Sequence, residues 1–262
     1  CNLNDIEFFF SNYNIKYVFH LAAFKKIDES IQEPLLYHYN NTVSTLNLLK
    51  VMEKYNCYNF IFSSSGSIYG NIEKYPLYEY DSVNSLQTNP YSKTKFYTES
   101  ILNDFSNSSN KWNIIILRYF NPISIYNDFG IFNSIIEAHK YNKTFEIYGN
   151  TYNTPDGTCI RDFIHIDDVI IAHINAFEYI KNNNNIFKIY NIGTGYSYSI
   201  LEIINKFNKK LDKKIKYIFT DKRKGDIAVS YANVDLIYKE LNWKSQKDIN
   251  YCIDEFINYL NI

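Results

Sequence analysis

Apolar residues in this chain fall into two patterns that take turns: short unbroken runs, and runs spaced by three or four. Ile15 to Leu21 (IKYVFHL) is an apolar run rich in β-formers, closed by the small pair Ala22-Ala23, and reads as a buried strand. Val43, Leu46, Leu49 and Met52 then recur at helical spacing, and Asn59 to Phe62 (NFIF) is a second strand. After Asn89-Pro90, the positions Tyr91, Lys95, Thr98, Leu102 and Phe105 follow one helix face. Ile114 to Tyr119 (IIILRY) is a third, almost wholly apolar strand. Strands without polar alternation, separated by helices, predict a parallel sheet covered on both faces. The fold class is therefore α/β, a doubly wound sheet of Rossmann type.

After Asn121 the pattern loosens. Phe187 to Ile192 reads as a strand, Ser199 to Leu211 as an amphipathic helix, Ile215 to Phe219 as a strand and Asp248 to Leu260 as a terminal helix. These elements predict a smaller α+β lobe. Residues 1–121 form the Rossmann-type domain, with 159–192 returning to it, and 122–158 with 193–262 form mainly the second lobe. No internal repeat is visible.

Composition narrows the function classes. The chain has 262 residues, 46% of them hydrophobic, and a formal net charge of -1 without a basic patch, which argues against a nucleic-acid partner. No run of eighteen apolar residues occurs, so no membrane span is expected. The four cysteines, Cys1, Cys57, Cys159 and Cys252, are scattered without C-x-x-C spacing. Neither metal ligation nor a disulfide framework is expected, and a reducing, cytoplasmic setting fits. Tyrosine occurs 26 times, in loops as readily as in core runs, and is a compositional bias rather than a motif. The chain lacks an initiator methionine and reads as opening in mid-helix, so the expectation is an N-terminally truncated sequence.

The chemistry concentrates in NPYSKTK, Asn89 to Lys95. Asn89 suits a helix cap and Pro90 the first turn, which puts Tyr91 and Lys95 one turn apart on one face. A free tyrosine titrates near ~10 and is a poor base at neutral pH. A nearby ammonium favours the phenolate and lowers that value, which suits the pair to taking a proton from a sugar hydroxyl. Such a spacing is common by chance on helix surfaces. Its neighbourhood is not: the strand before it ends in Ser63-Ser64-Ser65, at the carboxyl end of the sheet, where doubly wound folds bind ligands.

With these residues the chain resembles the extended short-chain dehydrogenase/reductases, and within them the sugar-nucleotide 4-epimerases. The resemblance covers nearly the whole chain. It is carried by HLAAFK (20–25), ESIQEPLLYHYNN (29–41), NFIFSSSGSIYG (59–70), NPYSKTK, LRYFNP (117–122), DGTCIRDFIHIDD (156–168), YNIGTGYSYSILEII (190–204) and KRKGD (222–226). It implies NAD as cofactor and reversible C4 epimerisation of a UDP-hexose, UDP-glucose to UDP-galactose, through a 4-keto intermediate, in galactose metabolism. By the same resemblance Ser65, Tyr91 and Lys95 match catalytic positions. Ala22, Ala23, Lys25, Asn40, Ser63 and Phe120, with Tyr91 and Lys95, match positions lining NAD. Asn121, Tyr148, Arg161, Arg223 and Asp226, with Ser65 and Tyr91, match positions contacting the UDP-sugar. The two arginines agree with the chemistry, since a diphosphate suits bidentate guanidinium donors. The bland alternative for Arg161 is an ion pair with Asp162 or Asp167. A homodimer is implied as well.

Three departures qualify the match. The family's G-x-x-G-x-x-G phosphate loop is nowhere among the eight glycines, and in the family it precedes the point matching Cys1. The chain as given is therefore expected to bind NAD poorly and, expressed alone, to be poorly soluble and inactive. NIGTG (Asn191–Gly195) has Tyr198 where a third glycine belongs and reads as a tight turn. The segment Ile125–His139 is shorter than the family's, and Phe132-Asn133 only loosely matches the pair near the uracil. His20, His38 and His165 lack ligand spacing and are assigned no chemistry. A dehydratase would carry Asp-Glu after Ser65, where Gly66 and Ser67 stand. A UDP-pentose epimerase and a non-catalytic relative on the same scaffold stay open, as does the preferred sugar.

Overall fold

The computed structural model describes residues 2–81, 83, 87–126 and 130–259. In chain order its elements are α1 (Leu3–Asn12), β1 (Tyr17–His20), α2 (Ile27–Gln32), α3 (Pro34–Tyr37), a π-helical turn (His38–Val43), α4 (Ser44–Lys54), β2 (Asn59–Ser65), a 3-10 turn (Gly66–Tyr69), α5 (Pro90–Ser108) and β3 (Asn113–Tyr119). Then follow β4 (Asn121–Ile123), α6 (Ile131–Lys140), β5 (Phe145–Tyr148), β6 (Ile160–Arg161), β7 (Phe163–His165), α7 (Ile166–Asn182) and β8 (Ile186–Ile192). The chain closes with β9 (Tyr198–Ser199), α8 (Ile200–Asn208), β10 (Tyr217–Thr220), β11 (Val229–Ser230), α9 (Asp235–Leu241) and α10 (Ile249–Tyr259). Among the described residues no helix is long and apolar enough to cross a membrane.

Two compact units result. The first holds residues 1–72, 79–118 and 173–190, and the second holds 73–78, 119–172 and 191–262. The first is built on a sheet of order β1-β2-β3-β8. β1 and β2 run parallel, with Tyr17 opposite Asn59 and His20 opposite Phe62. Its strands are apolar throughout because both faces are covered: Phe60, Phe62, Ile114 and Ile116 join Leu49, Met52, Leu102 and Trp112 in one buried cluster. Trp112 meets Tyr58 and Phe105 edge-on, with ring centroids 5.2 and 5.4 Å away.

The second unit carries three small sheets, β10-β5, β11-β6-β9 and β4-β7. Its core gathers around Phe132, whose ring lies 5.2–5.7 Å from those of Phe163, Phe207 and Phe256. α8 starts at a full capping box: Ser199 accepts from the Glu202 amide and Glu202 accepts from the Ser199 amide.

The structure differs from the sequence reading at several boundaries. β1 is Tyr17–His20 rather than Ile15–Leu21, because the Ile15 amide turns back to the Tyr13 carbonyl and Leu21 has left the sheet into solvent. The strand expected at Ile215–Phe219 is Tyr217–Thr220. Ile215 instead drops into the core, its amide held by the Asn208 side chain at 2.7 Å. The opening residues are not mid-helix: α1 starts at Leu3, and the Asn2 side chain caps it by accepting from the Asn4 amide. The strand expected at Asn59–Phe62 runs on to Ser65.

Candidate active site

The first unit brings Ser65, Tyr91 and Lys95 together. Asn89 caps α5 by accepting from the Ser92 amide at 2.9 Å, and Pro90 fills the first turn, as the sequence predicts. Tyr91 therefore opens the helix, partly buried, and its phenol is hydrogen-bonded to the Ser65 side chain. Ser65 ends β2, and its hydroxyl also accepts from the Ser67 amide, which starts the 3-10 turn. One turn into α5, the buried Lys95 ammonium donates to the Ser63 carbonyl at 2.7 Å and sits 4.8 Å from the centre of the Phe62 ring.

The electrostatics differ from expectation in one respect. Burial holds the Tyr91 phenol above its ordinary value, and the Ser65 hydrogen bond works against that. The lowering expected from Lys95 is not seen, because the ammonium is turned to the Ser63 carbonyl. Lys95 itself is brought down to about 8 by burial, with Glu99 opposing the fall. Its charge is felt instead by His20, which burial, then Lys95, lower to about 4. The His20 ring sits 2.8 Å from the Thr45 hydroxyl as a neutral core residue.

Asn41, which sequence reasoning passed over for its neighbour Asn40, ties three segments. Its side chain accepts from the Phe24 amide at 2.8 Å and donates to the Phe24 carbonyl at 3.0 Å, fixing the segment after β1. It also donates to the Thr94 hydroxyl at 3.1 Å, between Tyr91 and Lys95. Asn40 donates to the Asn41 side chain. Ala22 and Lys25 are exposed and Ala23 half-buried along the segment that Asn41 holds, at the carboxyl end of β1. Asn41 sits in a π-helical turn, a geometry with no simple sequence signal.

The second unit places the residues matched to the UDP group. The Asn121 amide donates to the Asp162 carbonyl at 2.9 Å, and buried Phe120 donates its amide to Ile192. Arg161 Nη1 donates to the carbonyl of Ile160 at 2.8 Å and reaches that of Ala228 at 3.4 Å, while Nη2 faces Asp226 at 4.0 Å. Neither carboxylate offered by the bland alternative is its partner. Asp162 is wholly buried and accepts from the Thr194 amide and hydroxyl and from the amides of Gly195 and Ala232. Asp167 pairs with Lys247. Arg223 stacks its guanidinium 3.6 Å from the centre of the Tyr148 ring.

The Asp162 contacts also settle the NIGTG stretch as a tight turn rather than a phosphate cradle, since its amides are spent on a carboxylate. A Cβ on Gly193 would lie 2.4 Å from Asp162 Oδ2, so close approach fixes that glycine. Phe132 is a core anchor, which removes it from any contact with a base. His165 is held by Glu255 at 2.8 Å and accepts from the Asp167 amide, a structural role.

Comparison with known proteins points the same way. The model of the NAD dependent epimerase/dehydratase family matches residues 1–193. UDP-glucose 4-epimerase 2 of Arabidopsis thaliana is 36% identical over 256 residues, covering 93% of this chain and 73% of its own length. UDP-glucose 4-epimerase of Dictyostelium discoideum is 38% identical over 256 residues, covering 93% of this chain and 74% of its own. Among solved structures, UDP-glucose 4-epimerase from Bifidobacterium longum in complex with NAD+ and UDP superposes with a TM-score of 0.91 at 35% identity, covering 100% of this chain and 82% of that one.

Proposed function

Because this chain belongs to the NAD dependent epimerase/dehydratase family, we propose that it catalyses the reversible C4 epimerisation of a UDP-hexose, interconverting UDP-glucose and UDP-galactose through a 4-keto sugar. The observation that carries this reading is the meeting of Ser65, Tyr91 and Lys95 at the end of β2. Tyr91 takes the proton of the sugar 4-hydroxyl and later returns it. Ser65, already bonded to the phenol, donates to or accepts from the same sugar oxygen and fixes its approach. Lys95, with its ammonium on the Ser63 carbonyl one turn away, serves this reading by holding ribose hydroxyls of the cofactor rather than by favouring the phenolate.

The residues present fit the ribose and nicotinamide end of NAD, while the glycine-rich loop for its diphosphate is not among them. An ammonium has three N–H donors, and among the described residues the Ser63 carbonyl takes one from Lys95, so two suit ribose hydroxyls. Ala22, Ala23, Lys25, Asn40, Ser63, Tyr91, Lys95 and Phe120 are the residues proposed to line it. When bound, NAD supplies the acceptor and donor of the C4 hydride and a positive charge beside the phenol. In the second unit Arg161 and Arg223 supply guanidinium donors for the diphosphate, with Asn121, Tyr148 and Asp226 beside them in role. The dehydratase reading is disfavoured by Gly66 and Ser67, which lack the carboxyl groups that eliminating water requires. A cytoplasmic location agrees with the free thiols of Cys57, Cys159 and Cys252. A homodimer belongs to this reading by family resemblance.

The test is Tyr91→Phe in a protein that carries an N-terminal segment with the family's glycine-rich phosphate loop, assayed for UDP-galactose to UDP-glucose conversion with added NAD. Turnover should fall by ~100- to 10,000-fold while UDP binding persists. Turnover within a few-fold of the unsubstituted protein sinks the assignment.

A further inference from the structure

One face of α5 is matched residue for residue to the end of β2. Tyr91, Lys95 and Glu99 follow one another at intervals of four along the helix. Tyr91 engages the hydroxyl of Ser65, Lys95 the carbonyl of Ser63 and Glu99 the hydroxyl of Ser64. Three consecutive strand residues are thus held by three successive turns of helix. Glu99 is buried and is in turn gripped by Arg118 of β3, with Nη2 at 2.7 Å and Nε at 3.2 Å from both carboxylate oxygens. Arg118 completes its bonds to the Tyr69 hydroxyl at 2.8 Å and the Glu79 carbonyl at 3.0 Å.

A carboxylate used only to neutralise Arg118 has no need to lie one turn from a buried ammonium and to hold the residue before Ser65. We propose that Glu99 is a positioning residue for Tyr91 and Lys95, holding the Lys95 side chain charged and locking α5 to β2 in the register that sets Ser65 against Tyr91. This deepens the function proposed above and rests on its reading of Tyr91 and Lys95.

The groups facing this pair come from every neighbouring element. His20 of β1, neutral above about 4, lies on the Lys95 side, and Tyr91 shares its helix face. Arg118 of β3, Tyr69 of the 3-10 turn and Ser64 of β2 surround Glu99. For Lys95, burial pulls the ammonium down and Glu99 is the charge that opposes it. Removing that charge should deprotonate Lys95 at lower pH.

The experiment is NMR titration of lysine labelled with 13C at Cε, in the chain without added nucleotide, with the Lys95 signal assigned by its loss in Lys95→Met. The midpoint expected near 8 should fall by roughly one pH unit or more in Glu99→Gln. Should that variant not fold, the double variant Glu99→Gln/Arg118→Met removes both buried charges together and should show a smaller fall in the same direction, since loss of the Arg118 cation partly offsets loss of the carboxylate. The alkaline limb of the turnover profile should move with the midpoint. A Lys95 midpoint unmoved in the variant that folds overturns the proposal, even where turnover has dropped, because a merely structural Glu99 would lower turnover at all pH values alike. Failure of the function itself reads out separately, as retained turnover in Tyr91→Phe.

Discussion

Replacing Arg161 by methionine separates the part of that side chain that serves the fold from the part that would serve a ligand. Methionine keeps most of the length and loses the charge and all five donors. On the fold side, Nη1 donates to Ile160 and more weakly to Ala228, at 2.8 and 3.4 Å. Hydrogen bonds of this kind contribute about 1–2 kcal/mol together, or roughly 2–8 °C in melting temperature for a chain of this size. On the ligand side, Nη2 stands 4.0 Å from Asp226, an ion-pair separation beyond hydrogen-bond reach, and the function proposed above assigns its donors to a closer anion. Two charge-assisted bonds to a diphosphate, at the lower end of their range, amount to about 3 kcal/mol, or ~100-fold in Kd. Arg161→Lys restores a point charge without the planar fork and should recover about tenfold of that loss. Calorimetric titration with UDP, alongside thermal melting of each variant, measures both sides. A UDP Kd within threefold of the unsubstituted protein, with only the melting temperature lowered, would refute a diphosphate role and leave Arg161 as a strap on its own sheet.

Two further outcomes follow from buried groups. Asp162→Ala would leave the Thr194, Gly195 and Ala232 donors without their acceptor, and should cost about 3–5 kcal/mol; a chemical-denaturation loss below about 1 kcal/mol would show the turn holding itself. His20 has a folded value near 4 against an ordinary 6.5, so the unfolded chain binds the extra proton and stability is lost as pH falls through that window, by up to about 3 kcal/mol. Denaturant midpoints at pH 7 and pH 4.5 should show this slope in the unsubstituted protein and a shallower one in His20→Gln; equal slopes would contradict it.

How much of this was legible beforehand depends on the range of the forces involved. β2 and β3 were readable because strands buried on both faces leave continuous apolar runs, and the start of α5 because Asn89 and Pro90 act within four residues. The short strands of the second unit, two residues each in β6, β9 and β11, leave no period to detect. Arg118 and Glu99 are 19 positions apart and meet only because β3 lies beside β2, so nothing local announces their pair. The Glu99 position did carry one signal, its spacing of four from Lys95, but a carboxylate at that spacing reads equally well as ordinary helix surface. Arg161 was legible as a cation and not as to its partner, since Asp162 was nearest in sequence and the amides of distant loops took it first.

The match between α5 and the end of β2 works like a zip fastener with three teeth, each closing on a different residue. A shift of β2 by one residue towards its amino end would bring Gly66, which has no hydroxyl, opposite Tyr91, and a shift either way would move Phe60 and Phe62 out of the buried cluster they share with Leu49 and Met52. Alignment is thereby enforced where helix and strand touch, and the span from Gly66 to Thr88 that links them is relieved of that duty. Outside the Gly66–Tyr69 turn and the Glu79 carbonyl that Arg118 uses, the length of that stretch is not what keeps Ser65 and Tyr91 in contact. Related chains should therefore tolerate a change of length there better than a change in the interval of four that separates Tyr91, Lys95 and Glu99.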